Sequence, residues 1–309
     1  LGRKRSNNED AYAVYADYGL FCVADGMGGA EDGEVASQAA VGAVAEKLRR
    51  FSPARPLESE AMALWIEKAI KEASQWIYNR SRERGSQGTG TTFVGVHFDP
   101  AAPGSVLALH AGDSRAYKIH KNKIEQITGD HSAASLAGVK NEAELNPMFR
   151  GMVLRTVGVQ EAVELERTAF QVEAGDVVLL CTDGLTRMVT DKQICAILRK
   201  APDVESAASA LVAAANENGG VDNVTVVVIH VGELPLPISD LERERPVMRS
   251  KVDDRASETA TSTFVPGWDD SDNTRIYGVV TPTSSGISGI STGESEVGKD
   301  RGKEQGQGR

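Results

Sequence analysis

The chain has 309 residues, 40% hydrophobic and 25% charged, which is enough for a sizeable core in one large domain or two ordinary ones. Its formal net charge of -10 argues against a broad nucleic-acid surface, which needs clustered Lys and Arg to meet phosphates. No apolar stretch is long enough to span a bilayer, and Cys22, Cys181 and Cys195 are an odd, sparse set that reads as buried hydrophobes; a reducing, cytoplasmic setting with no membrane association is expected.

In chain order, Leu1 to Asp10 reads as a polar turn that leaves Arg5, Glu9 and Asp10 close together. Leu1 is not Met, and we expect the natural chain to begin further upstream. Ala11 to Tyr18 and Leu20 to Ala24 predict two strands turning at Asp17 to Gly19. Val41, Val44, Leu48 and Phe51 recur at helical spacing, so Glu34 to Phe51 is expected as an amphipathic helix with acids first and Lys47, Arg49 and Arg50 last. Glu60 to Arg84 repeats the pattern after a joint broken by Pro53 and Pro56, and its Trp65 and Trp76 are expected to pack. Thr91 to Phe98, Ser105 to Ala111, Arg115 to His120 and Lys123 to Thr128 then predict an antiparallel meander. Asp130 to Asn146 is polar and weakly helical and Pro147 to Gly158 irregular, together a surface segment between strands. Strands return at Val163 to Phe170 and Asp176 to Thr182, followed by helices at Asp191 to Arg199 and Val204 to Asn216 and a last strand at Asn223 to Val231. From Glu233 the composition turns to Ser, Thr, Gly, Glu and Lys. Residues 1–232 are therefore expected to form the domain and 233–309 a disordered tail, whose Ser/Thr density and Thr281-Pro282 could serve regulation or nothing. Two helix pairs and two groups of doubly apolar strands predict an α+β fold, a four-layer αββα sandwich of two stacked antiparallel sheets flanked by helix pairs.

Asp25, Asp113, Asp183 and Asp222 each sit at a strand end or tight turn. Any one of them alone is an ordinary turn residue. Gathered at one rim they would raise one another's pKa unless cations neutralise them. All-oxygen ligation without a Cys or His cluster selects Mg²⁺ or Mn²⁺. Two such ions about 3.5–4 Å apart would activate a water for in-line attack on phosphorus. Arg5 is placed to hold the phosphoryl oxygens in a bidentate fork, although by position alone a surface ion pair is as good a reading. The five histidines lack ligand spacing and read as structural or surface residues. Gly26 to Glu31 fails as a dinucleotide loop, and no P-loop or nucleophile elbow is present.

Arg5-Ser6-Asn7-Asn8-Glu9-Asp10, Val23-Ala24-Asp25-Gly26-Met27-Gly28-Gly29, Gly88-Thr89-Gly90-Thr91-Thr92, Gly112-Asp113-Ser114-Arg115, Asp183-Gly184-Leu185 and Asp222-Asn223-Val224-Thr225 together resemble the ordered signature of the metal-dependent serine/threonine phosphatases, protein phosphatase 2C type, in their bacterial form. The resemblance runs from Leu1 to about Val231 and leaves the tail uncovered. It implies that Asp25 bridges two metals, that the Gly26 carbonyl completes one of them, and that Asp183 and Asp222 hold the other. It also implies that Asp10 acts through a bound water, that Arg5 binds phosphate, and that Asp113 with Asp183 serves a third, weaker ion. Met27 stands where many eukaryotic members carry a His proposed as general acid. Asn146-Pro147-Met148-Phe149-Arg150 departs from the family's usual flap sequence, and the strand that the family places before Arg5 is missing. The expected activity is Mn²⁺- or Mg²⁺-dependent hydrolysis of phosphoserine and phosphothreonine in proteins, opposing a bacterial Ser/Thr kinase, by a monomer. A catalytically silent binding module and an esterase for small phosphorylated molecules are the alternatives.

Overall fold

A tight turn ending in Gly19, at φ 61°, folds Asp10 to Met27 back on itself. In the computed structural model, which describes residues 2–28, 32–52, 57–86, 88–139 and 144–232, β1 (Asp10–Tyr15) pairs antiparallel with β2 (Leu20–Met27). A 3₁₀ turn, Ala16–Tyr18, ends the first strand three residues short of the predicted boundary. Next come α1 (Asp32–Leu48), α2 (Ser59–Glu83), the two-residue β3 (Gly90–Thr91), β4 (Phe93–Phe98) and β5 (Ser105–Ala111). They are followed by β6 (Arg115–His120), β7 (Lys123–Gln126), a single turn α3 (Ala133–Leu136) and β8 (Glu166–Gln171). The chain then forms β9 (Val177–Cys181), α4 (Asp183–Thr186), α5 (Asp191–Lys200), α6 (Val204–Glu217) and β10 (Val226–His230). A six-stranded sheet is ordered β1-β2-β4-β5-β8 with β3 beside β2, and a four-stranded sheet is ordered β10-β9-β6-β7.

Period-two alternation divides the strand residues between two apolar layers. Leu20, Cys22, Phe93 and Leu109 face α1 and α2, meeting Val44, Leu48, Met62, Ile66 and Ile70. Phe21, Val23, Val94, Val96 and Val106 face the other way, against Val178, Leu180, Val227 and Ile229 of the second sheet. Leu179, Val226 and Val228 then pack outward on Ile194, Leu211 and Val212 of α5 and α6. Each large side chain buried this way contributes roughly 1.5–3 kcal/mol, so three stacked layers hold the four-layer sandwich that the doubly apolar strands predict. Local signals set the helix limits. Thr190 and Gln193 form a reciprocal capping box on α5, and the Asp203 side chain accepts from Ser206 N at 2.7 Å to start α6.

The meander is a correction. β4 and β5 pair in one sheet, but at Gly112-Asp113-Ser114 the chain crosses over, and β6 and β7 belong to the other sheet. Alternating strands buried on both faces read identically in either sheet, so periodicity does not reveal the crossing. Trp65 packs edge-on to Phe51, with ring centroids 5.1 Å apart. Trp76, by contrast, is 49% exposed, with the Arg80 guanidinium 5.4 Å from its ring. Among the described residues no helix is long and apolar enough to cross a membrane. The expectations for Gly29 to Glu31, for Pro53 and Pro56, and for the tail 233–309 lie outside the described residues.

Candidate active site

The β1–β2 register places Asp10 directly opposite Asp25, like charges on neighbouring strands, an arrangement that ordinarily destabilises a sheet. β9 and β10 bring the Thr182-Asp183 end of one against the Asp222 to Thr225 end of the other: Thr182 N donates to Thr225 O at 3.1 Å, and Thr225 N donates to Thr182 Oγ1 at 3.0 Å. Arg115 of β6 pairs with Cys181 of β9, which sets the Asp113 corner beside Asp183. Acids from both sheets thus share one rim. Close backbone approach makes this possible: a Cβ on Gly184 would overlap the Asn223 carbonyl oxygen, and one on Gly26 would overlap the Gly33 carbonyl oxygen.

Sequence motifs pin these acids through neighbours that composition did not single out. Asn223 is buried, accepting from Glu9 N at 2.9 Å and donating to Asn7 O at 3.0 Å, so it ties the Arg5 to Asp10 loop to the head of β10. Thr182 Oγ1 donates to Asp10 Oδ2 at 3.0 Å. Asp25 N donates to Thr92 Oγ1 at 2.9 Å, Thr92 Oγ1 lies 2.7 Å from Ser114 Oγ, and Thr91 Oγ1 donates to Asp25 O at 2.9 Å. Gly26 N donates to Glu9 O at 3.0 Å. All of these residues except Thr182, which directly precedes Asp183, lie inside the quoted motifs, so the signal for them was present.

Burial and mutual repulsion dominate the electrostatics. Desolvation pushes Asp10 up to about 6 and Asp183 up to about 7. Asp25 is raised well above the ordinary value, first by desolvation and then by Asp10, Asp183, Asp113 and Asp222. Desolvation raises Asp113 as well, against the opposing charge of Arg187. Asp10 Oδ1 and Asp183 Oδ1 are buried without a hydrogen-bond partner. Buried acceptors left open beside raised carboxylates, in an all-oxygen donor set, fit a hard divalent cation such as Mg²⁺ or Mn²⁺.

Arginines already serve two of the acids. Arg5 forks on Asp222, Nε to Oδ1 at 2.8 Å and Nη2 to Oδ2 at 2.9 Å, and lies 3.7 Å from Glu9. Arg187 Nη2 lies 2.7 Å from Asp183 Oδ2. With these cations engaged, no three of the rim acids bring oxygens within 4.8 Å of one another.

That spacing is met instead by His110, His131 and Glu166, a group that β5–β8 pairing, not sequence distance, assembles. The two rings are stacked, 4.5 Å apart and 3° from parallel. Their in-plane lone pairs cannot converge on one ion. Gly112 N donates to His131 Nδ1 at 3.2 Å, and His131 Nε2 lies 3.0 Å from Glu166 Oε2, so the group fastens the root of the 131–158 flap to the Asp113 corner. Arg115 adds a bidentate clasp on Asp130 at 2.8 and 2.6 Å. Further along, the flap exposes Leu136, Met148 and Phe149.

Comparison with known proteins gives a consistent pattern. The family model described as protein phosphatase 2C matches residues 2–219. The chain is 32% identical over 236 residues to a serine/threonine phosphatase stp of Listeria welshimeri, covering 74% of this chain and 92% of that protein. It is 36% identical over 237 residues to the serine/threonine protein phosphatase PstP of Mycobacterium tuberculosis, covering 74% of this chain and 43% of that longer protein. Among solved structures, the catalytic domain of PstP in complex with two manganese ions superposes with a TM-score of 0.61 at 32% identity, covering 74% of this chain and 92% of that one.

Proposed function

The chain belongs to the protein phosphatase 2C family, and from that membership we propose that its acid rim hydrolyses phosphoserine and phosphothreonine in proteins. One observation carries the reading most: carboxylates from both sheets meet at one rim with buried oxygens left unpartnered. Asp25 and the Gly26 carbonyl on β2, with Asp183 and Asp222, are the residues that would hold two Mn²⁺ or Mg²⁺ ions. Bound there, the ions supply the charge that makes a water nucleophilic near neutral pH and that offsets the phosphoryl oxygens.

The chain's own residues supply the rest. Arg5 gives up its fork on Asp222 to the ions and turns the same planar donors onto the phosphate, a geometry that Lys cannot reproduce. Asp10, held at Oδ2 by Thr182, keeps Oδ1 open to take a proton from the attacking water. With Met27 beside the rim in place of an ionisable group, the departing seryl or threonyl oxygen draws its proton from solvent. In this reading residues 1–232 are the catalytic unit, with 233–309 an extension of it. The protein works as a cytoplasmic monomer opposing a Ser/Thr kinase.

Phosphopeptide turnover should require Mn²⁺ or Mg²⁺ and stop on chelation, and it should exceed turnover of nucleotide and sugar phosphates. Arg5→Ala should raise KM for phosphopeptide about 10–100-fold, the loss of one charge-assisted bidentate pair. Steady-state assays with and without chelator check both. Turnover that survives chelation, or a preference for small phosphate esters, would overturn the reading.

A further inference from the structure

Asp183 divides its two carboxylate oxygens. Oδ2 is 2.7 Å from Arg187 Nη2, while Oδ1 is buried and unpartnered. Arg187 is placed by local geometry: it is the C-cap residue of α4, four positions after Asp183, with its N–H on the Asp183 carbonyl oxygen at 2.9 Å. Its positive charge acts on two acids at once. Asp113 and Asp183 repel each other, and the strongest influence offsetting burial at both is the Arg187 guanidinium. Gly151 lies beside it, where a Cβ would be 3.6 Å from Arg187 Nη2.

We propose that the Arg187 guanidinium is a built-in cation filling the Asp113–Asp183 side of the rim, so that this protein takes two divalent ions and excludes a third. The inference rests on the reading that the rim acids hold divalent ions. Charge balance supports it. Asp10, Asp25, Asp113, Asp183 and Asp222 carry five negative charges when ionised, which two divalent ions and one guanidinium neutralise, while Arg5 balances Glu9 3.7 Å away. A third divalent ion would leave the partly buried cluster with excess positive charge beside an arginine that cannot deprotonate.

Titration of the full chain with Mn²⁺, followed by the electron paramagnetic resonance signal of the free ion, tests this without reference to turnover. The wild type should saturate at two ions per chain. Arg187→Gln should add a third, weaker class, and Arg187→Gln combined with Asp113→Asn should lose it again. Arg187→Met, which keeps the apolar stem, repeats the measurement should the Gln variant fold poorly. Three ions in the wild type, two in both neutral variants, or a third that persists without Asp113 would each overturn the proposal. A wild type that binds no Mn²⁺ would instead overturn the underlying reading of the rim, and the proposal with it.

Discussion

Replacing Asp25 with asparagine should lower phosphopeptide turnover on the order of a thousand-fold, roughly 4 kcal/mol of barrier, while making the ion-free protein more stable. The two effects have one cause. Asp25 faces Asp10 across the β1–β2 register and is repelled by Asp183, Asp113 and Asp222, so ionising it in the absence of a cation costs the fold free energy. Asparagine removes that charge, and the bonds from Asp25 N to Thr92 and from Thr91 to Asp25 O persist because they are made by backbone atoms. A residue conserving only structure would behave oppositely. Turnover with saturating Mn²⁺ and thermal melting in chelator are the measurements; undiminished turnover, or lower stability in chelator, would contradict the role proposed for this carboxylate.

The second large effect is a pH dependence of stability that divalent ions reverse. Asp10 is pushed up to about 6 and Asp183 to about 7, from an unfolded value near 4. A carboxyl raised by folding contributes stability that is fully present below its unfolded pKa and is lost as pH rises through its folded one. The chelated protein should therefore lose stability between about pH 4 and pH 7, by a few kcal/mol in all. Other titrating groups cancel when the wild type is compared with Asp183→Asn, which should show a shallower loss. Protons and divalent ions compete for the same oxygens, so Mn²⁺ should raise the melting temperature more at pH 8 than at pH 5. An equal rise at both values would show that the ion binds elsewhere.

Much of this site was legible because acids that end apolar strands are chemically conspicuous. Asp25, Asp183 and Asp113 each follow or close such a run, Gly112 marks the corner between β5 and β6, and Gly26 and Gly184 mark close backbone approach within β2 and α4. The sandwich was legible too, since strands apolar on both faces need a layer on each side. What escaped depends on register and on which sheet a strand joins. The change of sheet at Gly112 to Ser114 and the meeting of His110 with Glu166 leave no periodic trace in the chain. Arg187 is a different case: it lies four residues after Asp183, a spacing that pairs side chains on a helix, but a one-turn helix within Asp183-Gly184-Leu185-Thr186 has no apolar period to announce it. Arg5 reads from its position equally as a phosphate ligand or as an ion pair, and in the structure it forks on Asp222.

Anomalous diffraction from crystals soaked in Mn²⁺ tests most directly whether the rim acids gather around divalent ions. Two peaks within coordination distance of Asp25, one also touching Asp183 and Asp222, with the Arg5 guanidinium withdrawn from Asp222, are the expected result. A rim that stays without peaks at saturating Mn²⁺, with Arg5 still forked on Asp222, would contradict it.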